Sequence, residues 1–152
     1  MTAVSIAIAT CNGARHIDEQ LRSLAMQQLL PDELVVTDDA STDDTVARIE
    51  TFAANAPFPV RLYRNPERLG YRANFMQAAE LCRAEIISFC DQDDVWEPHK
   101  LAACVQPFDN PGVILVYHDA STINADGHPL ACALSYHHVT PTEFQFGSRA
   151  FA

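Results

Sequence analysis

A chain of 152 residues with 48% hydrophobic composition can build one globular domain with a sizeable core and is too short for two full ones. Its formal net charge of −10 argues against a nucleic-acid or anionic-membrane surface, because phosphate backbones are met by clustered Lys and Arg. A phosphorylated ligand would need a metal bridge.

In chain order, Val4 to Ala9 is a short apolar run ended by Thr10, Cys11, Asn12 and Gly13, which are turn chemistry, and reads as a first buried strand. From Ala14 to Gln28, Ile17, Leu21, Leu24 and Ala25 recur at helical spacing with Asp18, Glu19, Gln20 and Arg22 opposite, until Pro31 stops the pattern. Glu33 to Thr37 is a second strand and runs into Asp38 and Asp39. Ser41 and Asp44 look like a capping pair opening a helix through Val46, Ile49 and Phe52. Val60 to Tyr63 is a third strand, followed by a loop carrying Arg64, Arg68 and Gly70. A helix over Tyr71 to Cys82 is expected to bury Phe75, Ala78, Ala79 and Leu81.

Ile86 to Cys90 reads as a strand buried on both faces, and it ends abruptly in Asp91, Asp93 and Asp94. Two carboxylates about 4 Å apart repel by roughly 4 kcal/mol at an effective dielectric near 20, so such a cluster needs protons, a base or a cation. A hard divalent cation is the simplest partner. Pro98 suits the first turn of a helix to about Val105, Val113 to Tyr117 reads as a fifth strand, and the Asn124 to Gly127 turn implies an antiparallel return. Beyond Leu134 no sustained period remains.

Strands alternating with helices indicate βαβ units and a mainly parallel sheet, whose right-handed crossovers put every strand's carboxyl end on one edge. Thr10 and Asn12, Asp38 and Asp39, Arg64 and Arg68, and Asp91 with Asp93 would share that edge, where open α/β sheets bind ligands. The turn after the first strand lacks GxGxxG, and no GxxxxGK[ST] occurs anywhere. Bound diphosphate would therefore be held by metal and arginine, leaving Asp38 and Asp39 to accept a base N–H or a ribose hydroxyl.

The stretches VSIAIATCNG, ELVVTDDASTDDT, NPERLGYRANFMQAAE and IISFCDQDDVWEPHKL, in this order and spacing, resemble the nucleotide-sugar-binding half of family 2 glycosyltransferases of the GT-A fold, from about Val4 to Leu130. The resemblance implies a Rossmann-like α/β fold, a mainly parallel sheet flanked by helices with a late antiparallel strand or hairpin. Residues 1–134 would be the nucleotide-sugar-binding domain and 135–152 a tail or the start of an acceptor-binding region. Ala9 and Thr10 would lie against the nucleoside, and Asp39 would accept from a pyrimidine N3–H. Asp91 and Asp93 would form the DxD pair, with Asp93 nearest a Mg²⁺ or Mn²⁺ on the diphosphate and Asp91 near ribose or metal-bound water; Arg68 or Arg72 would reach base or phosphate. The LGYRANF and DQDDVWEP wording is similar to bacterial rhamnosyltransferase-like branches and tilts the donor from a UDP-sugar toward dTDP-rhamnose.

The implied reaction is metal-assisted single displacement with inversion, from a UDP- or dTDP-sugar to a saccharide or other hydroxyl acceptor, as in polysaccharide biosynthesis. The alternative is a donor-binding module without transfer activity. Asp119 is the nearest candidate base, but it reads better as a sheet-end structural residue. A receiver-type phosphoacceptor domain fits poorly, since Thr10 and His118-Asp119 stand where its acid pair and lysine should be. The six histidines share no HxxxH spacing and read as solvated or loop residues, and Trp96 reads as core packing. Five cysteines without a CxxC pair indicate reduced thiols in a cytoplasmic protein. No basic leader and no apolar run near 18 residues occurs, so no spanning helix is expected, although the acceptor can be one held at a membrane.

Overall fold

The computed structural model describes residues 2–118, 120–124, 128–134 and 150–151. Four strands, β1 (Val4–Thr10), β2 (Glu33–Asp38), β3 (Val60–Arg64) and β4 (Ile86–Cys90), pair in parallel in the order β3-β2-β1-β4. Helices α1 (Ile17–Ala25), α2 (Thr45–Ala53) and α3 (Tyr71–Leu81) form the crossovers, and the short helix α4 (Lys100–Val105) follows β4. A late hairpin, β5 (Ala120–Ile123) with β6 (Pro129–Leu134), is antiparallel as anticipated, though its turn at 125–127 lies outside the described residues. Two residues of β7 (Ala150–Phe151) pair with β4, a contact that the aperiodic end of the sequence did not announce; residues 135–149 are not described.

The strands form because β-branched and aliphatic residues can be buried on both faces of a parallel sheet. Ile6 and Ile8, Leu34 and Val36, and Ile86 point to one face and pack with Ile17, Leu21 and Leu24 of α1, Ile49 of α2, Trp96 and Leu101. Ala7, Val35 and Ile87 point to the other and meet Ala78, Ala79 and Cys82 of α3. The result is a three-layer sandwich whose small-residue face lets α3 approach β1 and β2 closely.

Several expectations need correction. Val113 to Tyr117 is not a strand: only Leu115 makes an isolated bridge, and Ile114, Leu115 and Tyr117 are 65%, 56% and 64% exposed. β-propensity needs a sheet edge to act on, and β4 is met at Ile86 and Ile87 by β7 instead. Ser41 does not cap α2. Its hydroxyl serves Asp38 and the Asn12 N–H, while Asp43 accepts from the Thr45 N–H and hydroxyl at the helix start. α1 begins three residues later than the apolar pattern, because Gly13 to His16 turn with His16 and Ile17 N–H both donating to the Gly13 carbonyl. Gln20, assigned to solvent, is fully buried on α1, and Asn74 is buried on α3 where Phe75 and Leu81 are only half-buried.

Candidate active site

Register sets the carboxyl edge. Thr10 pairs with Asp38 and Asp38 with Arg64, so three strands end level, whereas β4 stops at Cys90 opposite Ile8 and the acid segment starts level with the last residues of β1. Strand order reverses at β1, with β2 on one side and β4 on the other, and an open α/β sheet carries its ligand crevice at that switch point. The two acid segments therefore flank the exit of β1.

Cys11 joins them. Its thiol donates to the Asp39 carbonyl at 3.5 Å, its N–H donates to Gln92 Oε1 at 3.0 Å, and Gln92 Nε2 donates back to the Cys11 carbonyl at 3.3 Å. The following N–H groups are also spent on side chains, Asn12 on Ser41 Oγ (2.8 Å), Gly13 on Thr45 Oγ1 (2.8 Å) and Ala14 on Asp43 Oδ2 (3.1 Å). The N–H groups of Asn12 to Ala14, in the turn before α1, are thus not free to cradle a diphosphate as a glycine-rich turn would.

Thr10 and Asp38 are both buried and paired: Thr10 Oγ1 donates to Asp38 Oδ2 at 2.9 Å, and the Ser41 N–H reaches Asp38 Oδ1 at 2.9 Å. Asn12 and Ala40 hold left-handed backbone, φ 49° and 54°, at the two turns leaving β1 and β2. Asn12 steadies its own turn by accepting the Thr42 N–H at 2.9 Å. Such residues carry strain, which clusters at functional edges.

Asp39 is 4% exposed and anchors the loop that leads into α3. Its carboxylate accepts from the N–H groups of Leu69 (2.7 Å) and Gly70 (2.9 Å) and from Asn65 Nδ2 (3.2 Å). Burial pushes this acid up, but the Leu69 N–H, the Asn65 amide, the Gly70 N–H and the Arg68 charge outweigh it, leaving Asp39 below the usual carboxylate range. Asn74 lies beneath: its Oδ1 accepts from Asn65 at 3.0 Å, and its Nδ2 donates to the carbonyls of Thr37 (2.9 Å) and Thr10 (3.3 Å). Arg68 is exposed beside Asp39, whereas the Arg72 guanidinium lies over the Tyr71 ring and its Nε donates to the phenol oxygen at 2.9 Å. Ala9, half-buried on β1, completes the rim.

Asp91, Asp93 and Asp94 are exposed on the other side. Desolvation and then the Asp93 charge raise Asp91, with Lys100 partly offsetting; desolvation and then Asp91 raise Asp94. Lys100 packs over Trp96, its Nζ 3.2 Å from the ring centroid, and Trp96 is buried as core. The whole segment is clasped by α1, through a polar ladder that a solvent-facing reading of Gln20 conceals. Gln20 Nε2 reaches the Cys90 thiol, Ser23 Oγ accepts the Trp96 N–H (3.0 Å), and Gln27 bonds the Glu97 carbonyl (2.9 Å) and the Leu101 N–H (2.9 Å). The sequence signal for these residues is spacing: Gln20 stands three residues after Ile17 and four before Leu24, and Asn74 four before Ala78.

Among the described residues no three His, Cys, Asp or Glu side chains converge as a closed metal cage. Two exposed carboxylates that repel each other suit a hard cation that takes one or two protein ligands and completes its shell with phosphate oxygens and water. Asp91 and Asp93 fit that donor set. A surface groove of about 560 Å³ between α1 and α2, lined by Asp18, Leu21, Arg48 and Phe52 among others, includes none of the strand-end acids. Asp119 lies outside the described residues.

The sequence profile of glycosyl transferase family 2 matches residues 5–142. The chain belongs to glycosyl transferase family 2. This family 2 chain is 29% identical over 126 residues to an uncharacterized glycosyltransferase of Nostoc sp., covering 81% of this chain and 38% of that protein. It is 32% identical over 98 residues to the dTDP-rhamnosyl transferase RfbG of Shigella flexneri, covering 62% of this chain and 34% of RfbG. Among solved structures it resembles the mannosyltransferase PcManGT of Pyrobaculum calidifontis in complex with GDP-Man and Mn²⁺ (TM-score 0.68, 30% identity, 74% of this chain and 34% of that one). It also resembles S. aureus TarS in complex with UDP-GlcNAc (TM-score 0.62, 28% identity, 69% and 31%). The chain thus spans about a third of the length of these proteins. The GT-A fold and the relation to rhamnosyltransferases expected from the four motifs hold. Among the described residues no helix is long and apolar enough to cross a membrane.

Proposed function

We propose that this family 2 chain binds a UDP- or dTDP-sugar at the carboxyl edge and serves the inverting, metal-assisted transfer of the sugar to a hydroxyl of a saccharide acceptor. One observation carries the reading: the Asp39 segment and the Asp91–Asp94 segment both fasten to Cys11 at the switch point, so base-side and phosphate-side groups share one rim. Ala9 and Thr10 of β1 would lie under the nucleoside. Asp39 has about four lone-pair sites and spends three, leaving one for a pyrimidine N3–H. Asp91 and Asp93 would hold a Mg²⁺ or Mn²⁺, which supplies charge neutralisation at the departing diphosphate.

Arg68, exposed beside Asp39, would meet base or phosphate; Arg72 would first have to leave Tyr71. In the transfer the acceptor oxygen bonds to the anomeric carbon as the bond to the diphosphate oxygen breaks, and the acceptor proton passes to a base. The relation to RfbG favours dTDP-rhamnose as the donor. A cytoplasmic setting belongs to the same proposal. A second reading is donor binding without transfer.

The test is release of nucleoside diphosphate from UDP- and dTDP-sugars with Mn²⁺ present. Release that is lost in Asp93→Asn supports transfer chemistry; binding without release supports the second reading; neither binding nor release refutes both.

A further inference from the structure

Gln92, the residue between the two acids, makes contacts that its place in the sequence does not advertise. Its carboxamide pairs with both backbone groups of Cys11, as acceptor at 3.0 Å and donor at 3.3 Å, across 81 residues of chain. Gly13 shows how closely that carboxamide is seated. A Cβ added there would overlap Gln92 Oε1 and come within 2.7 Å of its Cδ. The Gly13 backbone is not in the left-handed region, so a Cβ there is opposed by the space Gln92 takes and not by the conformation, and the carboxamide would have to move.

The neighbours of Gln92 behave differently. Asp91 and Asp93 are exposed and stand two residues apart with like charges. A short loop bearing two like charges spreads unless something fixes it. Gln20, Ser23 and Gln27 hold the segment at Cys90 and from Trp96 onward, and Gln92 ties the acid run itself to the exit of β1.

We infer that Gln92 is a positioning residue: by docking on the Cys11 backbone against the bare Cα of Gly13, it sets the separation of Asp91 and Asp93 and so their joint grip on a divalent cation carrying a nucleoside diphosphate. This rests on the donor-site reading above. Gln92 touches neither the ion nor the sugar; it acts through its two neighbours. Groups that orient metal ligands typically cost about 10- to 100-fold in metal affinity when removed.

The experiment is calorimetric titration of UDP and dTDP, each with and without Mn²⁺, into the wild type, Gln92→Ala, Gly13→Ala and the double variant, with urea melts of all four. Gln92→Ala is expected to lose about tenfold in the Mn²⁺-supported affinity, at the low end for a lost orienting group, while its metal-free affinity stays at the wild-type value. A merely structural role would lower both together. Gly13→Ala should reproduce the loss by displacing the carboxamide, and the double variant should be no weaker than Gln92→Ala, because the added methyl then has room. A readout without ligand is amide hydrogen exchange at Cys11, expected to speed up in Gln92→Ala. Unchanged Mn²⁺-supported affinity in Gln92→Ala, or losses that add in the double variant, would overturn this inference alone. Absence of Mn²⁺-supported binding in the wild type would overturn the donor-site reading and this inference with it.

Discussion

Replacing Asp39 with alanine removes the acceptor for three donors at once, the N–H groups of Leu69 and Gly70 and the Asn65 amide. Hydrogen bonds to a charged group contribute about 1.5 to 3 kcal/mol each. Leu69 is 47% exposed, so water can reach this loop and recover part of the loss. The expected destabilisation is therefore about 2 to 4 kcal/mol, below the simple sum. The amide introduced by Asp39→Asn keeps one oxygen but turns an NH₂ toward a donor, and this variant should lose about half as much. Urea unfolding at pH 7 measures both, and amide exchange at Leu69 and Gly70 should accelerate in step. The pH dependence follows from the sign of the shift. Asp39 is held below its ordinary value of 3.8, so its contribution is complete above that pH and fades as pH falls through the lower, folded value. The advantage of wild type over Asp39→Ala should shrink in that acid window. An Asp39→Ala variant within about 0.5 kcal/mol of wild type, the range of an ordinary surface change, would refute the anchoring role.

Asn74→Ala takes one partner from the Thr37 carbonyl, from the Asn65 amide, which keeps Asp39, and from the Thr10 carbonyl, which keeps the Asp39 N–H, and should cost about 1 to 3 kcal/mol in urea melts. Ser23→Ala strands the buried Trp96 N–H and should cost about 1 to 3 kcal/mol, with faster exchange at that amide as the local check. Asp94→Asn should raise the melting midpoint at pH 7. Partial desolvation and Asp91 hold Asp94 above its ordinary value, so the fold favours its neutral form; that contribution is present in acid and lost as pH rises through the folded value, and the gain of the variant over wild type should vanish in acid.

The parts of this architecture that the sequence makes legible are those governed by local pattern. The runs Val4 to Ala9, Glu33 to Thr37 and Ile86 to Cys90 are apolar because both sheet faces are covered, and a βαβ rhythm fixes parallel pairing, so the acids at their ends must share an edge. Buried polar residues are not legible in the same way. Gln20, Ser23 and Gln27 bond groups 70 to 74 residues away, and Asn74 bonds groups 37 and 64 away. A glutamine on an amphipathic helix has the same local pattern whether it faces water or a distant backbone. Val113 to Tyr117 shows the opposite failure, a β-forming run whose fate depended on which segment took the edge of β4.

The most direct test of the shared rim is calorimetry of Mn²⁺ with UDP or dTDP on wild type and Asp93→Asn. Nucleoside diphosphate binding is expected to tighten with Mn²⁺ in wild type and not to tighten in Asp93→Asn. Equal affinity with and without Mn²⁺, or an Asp93→Asn variant indistinguishable from wild type, would contradict it.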